Sequence, residues 1–168
     1  MKPRLRRSSV RVVIETPKGN RNKFSFDPGL QLFTLSAVLP VGESFPFDFG
    51  FIPGTKAADG DPLDVMLLMD EPAFTGCVID ARLIGVIEAT QTDGTKKFRN
   101  DRLIGVSNES HLHRHIKSIK DIDSRLLEEI EGFFVAYNTI KGEKFKPLGR
   151  FGPSRALALA KRGLKAGG

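Results

Sequence analysis

The sequence predicts one α+β domain whose sheet is curled or closed on itself. Two observations carry this reading. Short strand patterns separated by Gly, Pro and Asp turns fill residues 10–106, and one long helical pattern follows at 121–140. Many strands followed by a long helix is the order of an α+β fold. At 168 residues the chain is a single domain by length. A chain of this size buries about 70% of its unfolded surface and needs no disulfide or metal staple.

Residues 10–14 read as a first strand, with Glu15 at its end, and Pro17 and Gly19 mark a turn at 16–22. Lys-Phe-Ser-Phe-Asp at 23–27 alternates with period two, which puts Phe24 and Phe26 on one face. Asp27-Pro-Gly29 joins this strand to 30–39, where Leu30, Leu32 and Leu35 complete a hairpin. Pro40 ends that run, and 45–52 forms an aromatic strand. The apolar run 65–69 is a buried strand. Two further strands span 77–89 and 99–106, with Asp93-Gly94 in the turn between them.

Residues 107–120 are a connector in which His111, His113 and His115 alternate. That spacing could present three imidazoles to zinc. With no further ligand cluster beside them, they read as a polar loop. From 121 the period changes. Leu126, Leu127, Ile130, Phe133, Phe134 and Tyr137 share one helical face. Asp123 or Ser124 can cap the first turn, and Gly142 is the stop. Pro153 opens a short second helix over 156–164.

The net charge of +6 belongs to the two ends. Residues 1–11 and 150–168 carry ten of the 26 basic residues and no acid, leaving 16 basic against 20 acidic residues between them. Such ends read as solvated tails, with neither a membrane nor nucleic acid expected as partner. The longest apolar runs fall far short of a membrane span, and the N-terminus lacks the apolar core of a signal peptide. The single Cys77 cannot form an internal disulfide, which fits a reducing cytoplasm.

The chemistry concentrates in Asp59-Gly-Asp-Pro-Leu-Asp64, which places Asp59, Asp61 and Asp64 where a tight turn meets the strand at 65–69. Like charges this close repel, and burial raises the cost of ionising them. A cation removes both problems. Oxygen donors without His or Cys suit magnesium, manganese or calcium rather than zinc. An EF-hand loop does not fit, because its sixth position, normally Gly, would be Asp64.

Asp59-Gly-Asp-Pro-Leu-Asp64-Val resembles the signature of the family I soluble inorganic pyrophosphatases. Phe45-Pro-Phe-Asp-Phe-Gly-Phe-Ile-Pro53 is similar to that family's aromatic strand, residues 12–17 to its first strand, and residues 132–137 to its late helix. The resemblance spans roughly 10–148. It implies an OB-like five-stranded β-barrel with additional strands, flanked by a long helix and a short C-terminal helix. The expected division is a basic tail at 1–9, the pyrophosphatase-like domain at 10–150, and a C-terminal helix with a basic tail at 151–168. It further implies hydrolysis of pyrophosphate to two phosphates by direct attack of metal-activated water, with Mg2+ (or Mn2+) as cofactor and a homo-oligomer, a hexamer by resemblance.

By the same resemblance Asp59, Asp61, Asp64, Glu15 and Asp101 are expected at the metals. Asp61 takes the proton of the attacking water. Lys23, Arg102 and Tyr137 are expected on the phosphates. The chain departs from the pattern where Phe45, Phe49 and Phe51 stand for frequent tyrosines, Ala37 for a basic residue and Ser25 for a frequent Glu. Two further metal-binding Asp positions align near Gln91 and Asn100. Asp93 and Asp101 are the nearby substitutes, with Asp101 the preferred one. These departures keep two other readings open: a relic that binds metal or a phosphorylated ligand without turnover, and an OB-like nucleic-acid-binding module.

Overall fold

A computed structural model describes residues 9–168. The basic segment expected as a tail lies outside the described residues up to position 8, and Ser9 already belongs to the first strand. Among the described residues nine strands and two α-helices follow in the order β1 Ser9–Thr16, β2 Asn22–Asp27, β3 Leu32–Val38, β4 Asp48–Ile52, β5 Leu63–Leu68, β6 Val78–Asp93, β7 Lys96–Arg99, β8 Arg102–Ser107, α1 Ser124–Ile140, β9 Lys144–Phe151 and α2 Pro153–Gly167, with a single 3-10 turn at Ile119–Asp121 before α1.

Five strands close a ring. β1 pairs with β4, β4 with β5, β5 with β8, β8 with β6, and β6 returns to β1. Only the β5–β8 contact within this ring is parallel. This matches the expected barrel-like sheet with extra strands. β6 is 16 residues long and outruns the ring, carrying β7 and β9 on its far half. β2 and β3 form a separate two-stranded hairpin, whose turn is fixed by Asp27 Oδ1 accepting from Gly29 and Leu30 N–H at 2.8 and 3.0 Å.

The strand alternation splits the core in two. On β5, Val65 and Leu67 join one cluster with Val12, Ile14 and Leu103, and α2 seals it through Ala156, Leu159 and Ala160. Met66 and Leu68 face the other way, into a cluster with Ile104, Val106 and the buried face of α1. Period two therefore carries Asp64 and Arg102, which precede Met66 and Ile104 by two, toward α1. Helix α1 presents Leu127, Ile130, Phe134 and Tyr137 to that cluster, and Asp123 caps it by accepting from Arg125 and Leu126 N–H. Gly50 on β4 is compulsory in this geometry, because a Cβ there would lie 2.1 Å from the Val13 carbonyl oxygen of β1.

Three elements differ from the sequence expectation, and the first is the strand read at 99–106, which the structure divides between the end of β7 at Arg99 and β8 from Arg102. The aromatic strand predicted at 45–52 covers only Asp48–Ile52. Pro46 has no N–H to give a ladder, and Phe45 instead bonds Asn20 and Gly19 through its backbone. Strand β9 has no counterpart in the sequence reading, and it forms despite Pro147 and Gly149. It is tolerated as an edge strand paired to β6 alone, with a bulge where Ala89 meets Pro147.

Candidate active site

A cavity of about 770 Å³ opens between the acidic turn, the start of the hairpin, the β6–β7 turn and α1. The turn is built locally. Gly60 takes a positive φ of 92°. Asp59 Oδ1 accepts from Asp61 N–H at 3.0 Å, and Ala57 N–H bonds the Asp61 carbonyl at 2.7 Å. Thr55 Oγ1 receives Leu63 N–H at 2.9 Å, which pins the first residue of β5. Asp59, Asp61 and Asp64 consequently reach the cavity from one short stretch.

Glu15 joins them from the end of β1, and its Oε1 accepts from Phe26 N–H at 2.8 Å. Burial pushes the Glu15 carboxyl up to about 7, against the lowering effect of that hydrogen bond and with the help of the Asp64 charge. Burial also raises Asp59 and Asp64, although Arg102 works against it at both. These carboxylates resist ionisation where they stand. An all-oxygen donor set that resists ionisation fits a hard divalent cation, which would restore the charged forms. Among the described residues no three His, Cys, Asp or Glu side chains converge as a ready-made cage.

The basic side of the cavity comes from elsewhere in the chain. Lys23 lies on β2 with its Nζ on Ser25 Oγ at 3.1 Å, and burial lowers its pKa. Arg102 on β8 is only 6% exposed. Its guanidinium lies over the rings of Phe134, Phe145 and Phe49 at 5.0, 5.3 and 5.9 Å, and its Nη1 meets Asp64 Oδ2 at 2.5 Å. Tyr137 projects from α1 and is 7% exposed. Burial drives its phenol up to about 12, so it stays protonated and can only donate or weakly accept. Two polar atoms among these side chains, Arg102 Nε and the Tyr137 hydroxyl, have no hydrogen-bond partner among the described residues.

Of the predicted site residues, Glu15, Lys23, Asp59, Asp61, Asp64, Arg102 and Tyr137 all line this one cavity. Asp101 does not. It is turned to the opposite side, where its Oδ1 accepts from Ala89 N–H at 3.0 Å and pairs with Arg99 at 2.9 Å. There it belongs with Glu88, which binds Arg155 at 2.6 Å. Asp93, the other acid considered for that position, is on the cavity wall. Sequence reading overlooked Lys96, Asn138 and Lys141, which also line the cavity. For Lys141 a signal existed, since it follows Tyr137 by four on the helix and its Nζ sits 5.4 Å from that ring.

The family model for inorganic pyrophosphatase matches residues 12–166. The inorganic pyrophosphatase of Nostoc sp. is 38% identical over 157 residues, covering 94% of this chain and 90% of that protein. That of Synechocystis sp. is 41% identical over 140 residues, covering 83% and 80%. Among solved structures, the inorganic pyrophosphatase of Thermus thermophilus superposes with a TM-score of 0.87 at 33% identity, covering 95% of this chain and 91% of the other. The Helicobacter pylori enzyme gives 0.90 at 26% identity over 99% and 98%.

Proposed function

The chain belongs to the inorganic pyrophosphatase family, and we infer that its cavity is where it hydrolyses pyrophosphate to two phosphates. The observation that carries the reading is the pair of unmatched buried donors, Arg102 Nε and the Tyr137 hydroxyl, beside a bank of carboxylates. A buried donor without a partner costs about 1–3 kcal/mol. A phosphate oxygen satisfies both donors, and a divalent cation satisfies the carboxylates.

Asp59, Asp61, Asp64 and Glu15 would hold Mg2+, or Mn2+ in its place, and the bound ion would supply Lewis acidity, lowering the pKa of water and neutralising the polyanion. The chain's own residues do the rest. Asp61 is exposed at the cavity mouth and takes the proton of the attacking water. Lys23, Arg102 and Tyr137 orient the phosphates and balance the charge that gathers on the leaving group. The rings of Phe49, Phe134 and Phe145 keep the guanidinium in a dry setting, where its field is stronger. The reaction needs no covalent intermediate on the chain.

Exposed apolar side chains on β3, Leu32, Leu35 and Val38, support a homo-oligomer, and the resemblance points to a hexamer. No described helix is long and apolar enough to cross a membrane. The lone half-buried Cys77 suits a cytoplasmic setting. Nothing in the fold or the relatives favours the nucleic-acid module.

The test is phosphate release from pyrophosphate with Mg2+, with chelator, and in Asp61→Asn. Release should stop in chelator and drop by about 10²–10⁴ in the variant, the usual weight of a positioned general base. Unchanged release in Asp61→Asn would remove Asp61 from the reaction.

A further inference from the structure

Four polar side chains run in file outward from the cavity floor. Arg102 Nη1 donates to Asp64 Oδ2 at 2.5 Å and also to Asn100 Oδ1. Asn100 Nδ2 donates to Gln91 Oε1 at 2.7 Å, and Gln91 Nε2 donates to Glu143 Oε2. The direction of the file is fixed at both ends. A guanidinium has donors only, and an ionised carboxylate has acceptors only. Between them each amide can stand one way round.

The file is also buried. Arg102, Gln91 and Asn100 are 6, 6 and 9% exposed. At that depth every partner is compulsory, because an amide left unpaired costs more than a formed bond returns. Arg102 therefore cannot leave Asp64 without stranding Asn100 Oδ1, and Asn100 cannot turn without setting two oxygens against each other at Gln91. The charge inventory of the cavity agrees. Five carboxylates and four basic side chains line it, so much of the acidic charge is balanced by the chain itself.

We propose that Asn100 and Gln91 are positioning residues that clamp Arg102 on Asp64 as an internal cation, so that the site takes fewer divalent ions than its carboxylates and this wall would otherwise hold. The proposal rests on the reading that these carboxylates take a divalent cation. Carboxylates at 91 and 100 would reverse the logic. Both are acceptors only, so they would add negative charge to a buried wall that already ends in Glu143, and a bound cation would be required to hold them.

The test counts bound Mn2+ per chain by electron paramagnetic resonance titration without pyrophosphate. It compares the wild type with Asn100→Asp, Gln91→Asp/Asn100→Asp and Arg102→Gln. The double variant should bind at least one more Mn2+ per chain. Arg102→Gln, which removes the internal cation, should bind its ions about tenfold more tightly, the scale of effect of one nearby charge. Equal counts and affinities in folded wild type and variants would overturn the proposal. So would a lower melting temperature in chelator with an unchanged Mn2+ count, since that is the signature of a merely structural role. If the double variant does not fold, Asn100→Asp and Arg102→Gln decide by the same readings. An extra ion in the double variant, with no phosphate released by the wild type, would sustain the clamp and refute the hydrolytic reading. The reverse result would separate them the other way.

Discussion

Tyr137→Phe should change stability and ligand affinity in opposite directions. The ring makes contacts that Phe reproduces. It stacks on Phe133 with centroids 6.0 Å apart and 17° between planes, and it lies 6.0 Å from Phe45. What the substitution removes is a hydroxyl buried without a partner. That hydroxyl costs the ligand-free protein about 1–3 kcal/mol. Taking about 1 kcal/mol as the gain, the melting temperature in chelator should rise by about 2–4 °C for a domain of this size. With pyrophosphate bound, the same hydroxyl is a donor to a charged oxygen, worth about 1.5–3 kcal/mol. Its loss should weaken substrate binding by about 10–100-fold, at 1.4 kcal/mol per factor of ten. The phenol's pKa of about 12 keeps it a proton donor throughout the assay range, so the effect should not depend on pH between 6 and 9. Scanning calorimetry in chelator and KM for pyrophosphate with Mg2+ read the two halves separately. A lower melting temperature would mean the hydroxyl has a partner in the folded protein. An unchanged KM would mean that it never meets the substrate.

Other perturbations probe the scaffold. Asp101→Asn should leave Mn2+ affinity within about twofold, since the side chain faces away from the cavity, and should cost about 1 kcal/mol through its bonds to Ala89 N–H and Arg99; equilibrium dialysis and urea unfolding check the pair. Gly50→Ala should destabilise by about 3 kcal/mol or prevent folding, because its Cβ would fall 2.1 Å from the Val13 carbonyl oxygen; a urea midpoint equal to wild type would contradict the close approach of β1 and β4. Glu88 is held by Arg155 at 2.6 Å and Arg99 at 2.9 Å. Burial alone would raise it, but these guanidinium bonds outweigh burial and hold it below the ordinary Glu value of 4.5. A depressed carboxyl stabilises the fold above that ordinary value and loses its contribution as pH falls through the folded one. Glu88→Gln should thus cost about 1–3 kcal/mol at pH 7, and the gap to wild type should close in acid below pH 4.5; a gap independent of pH would rule out the ionic role.

The acidic turn was legible because its information is local. Three Asp residues within six positions, punctuated by Gly60 and Pro62, specify a turn and its charge without reference to the rest of the chain. Tyr137 and Arg102 were expected at the site from the family resemblance alone, since by period Tyr137 reads as core and Arg102 as one more strand residue. Asp101 was preferred as the nearest acid to the metal-binding position that the resemblance aligns at Asn100, a choice made against the strand period that pairs Asn100 with Arg102. Alternation sends adjacent residues to opposite sides, Asn100 into the cavity with Arg102 and Asp101 to Arg99. The file from Arg102 to Glu143 was beyond sequence reasoning altogether. Gln91 and Glu143 are 52 positions apart and meet only because β9 is added to the far half of β6.

That far half of β6 bears on how the polypeptide leaves the ribosome. β1 can zip to β4 soon after synthesis, but its other ladder edge waits for β6, whose first partners stand some seventy residues downstream, as in Ser9 opposite Arg82. Loops of that length close slowly. Until then the nascent chain displays an unpaired edge rich in Val and Ile, the kind of surface on which translating neighbours aggregate. Expression yield should therefore respond to translation speed through 17–77 and to chaperone supply more than the stability of the finished domain would suggest.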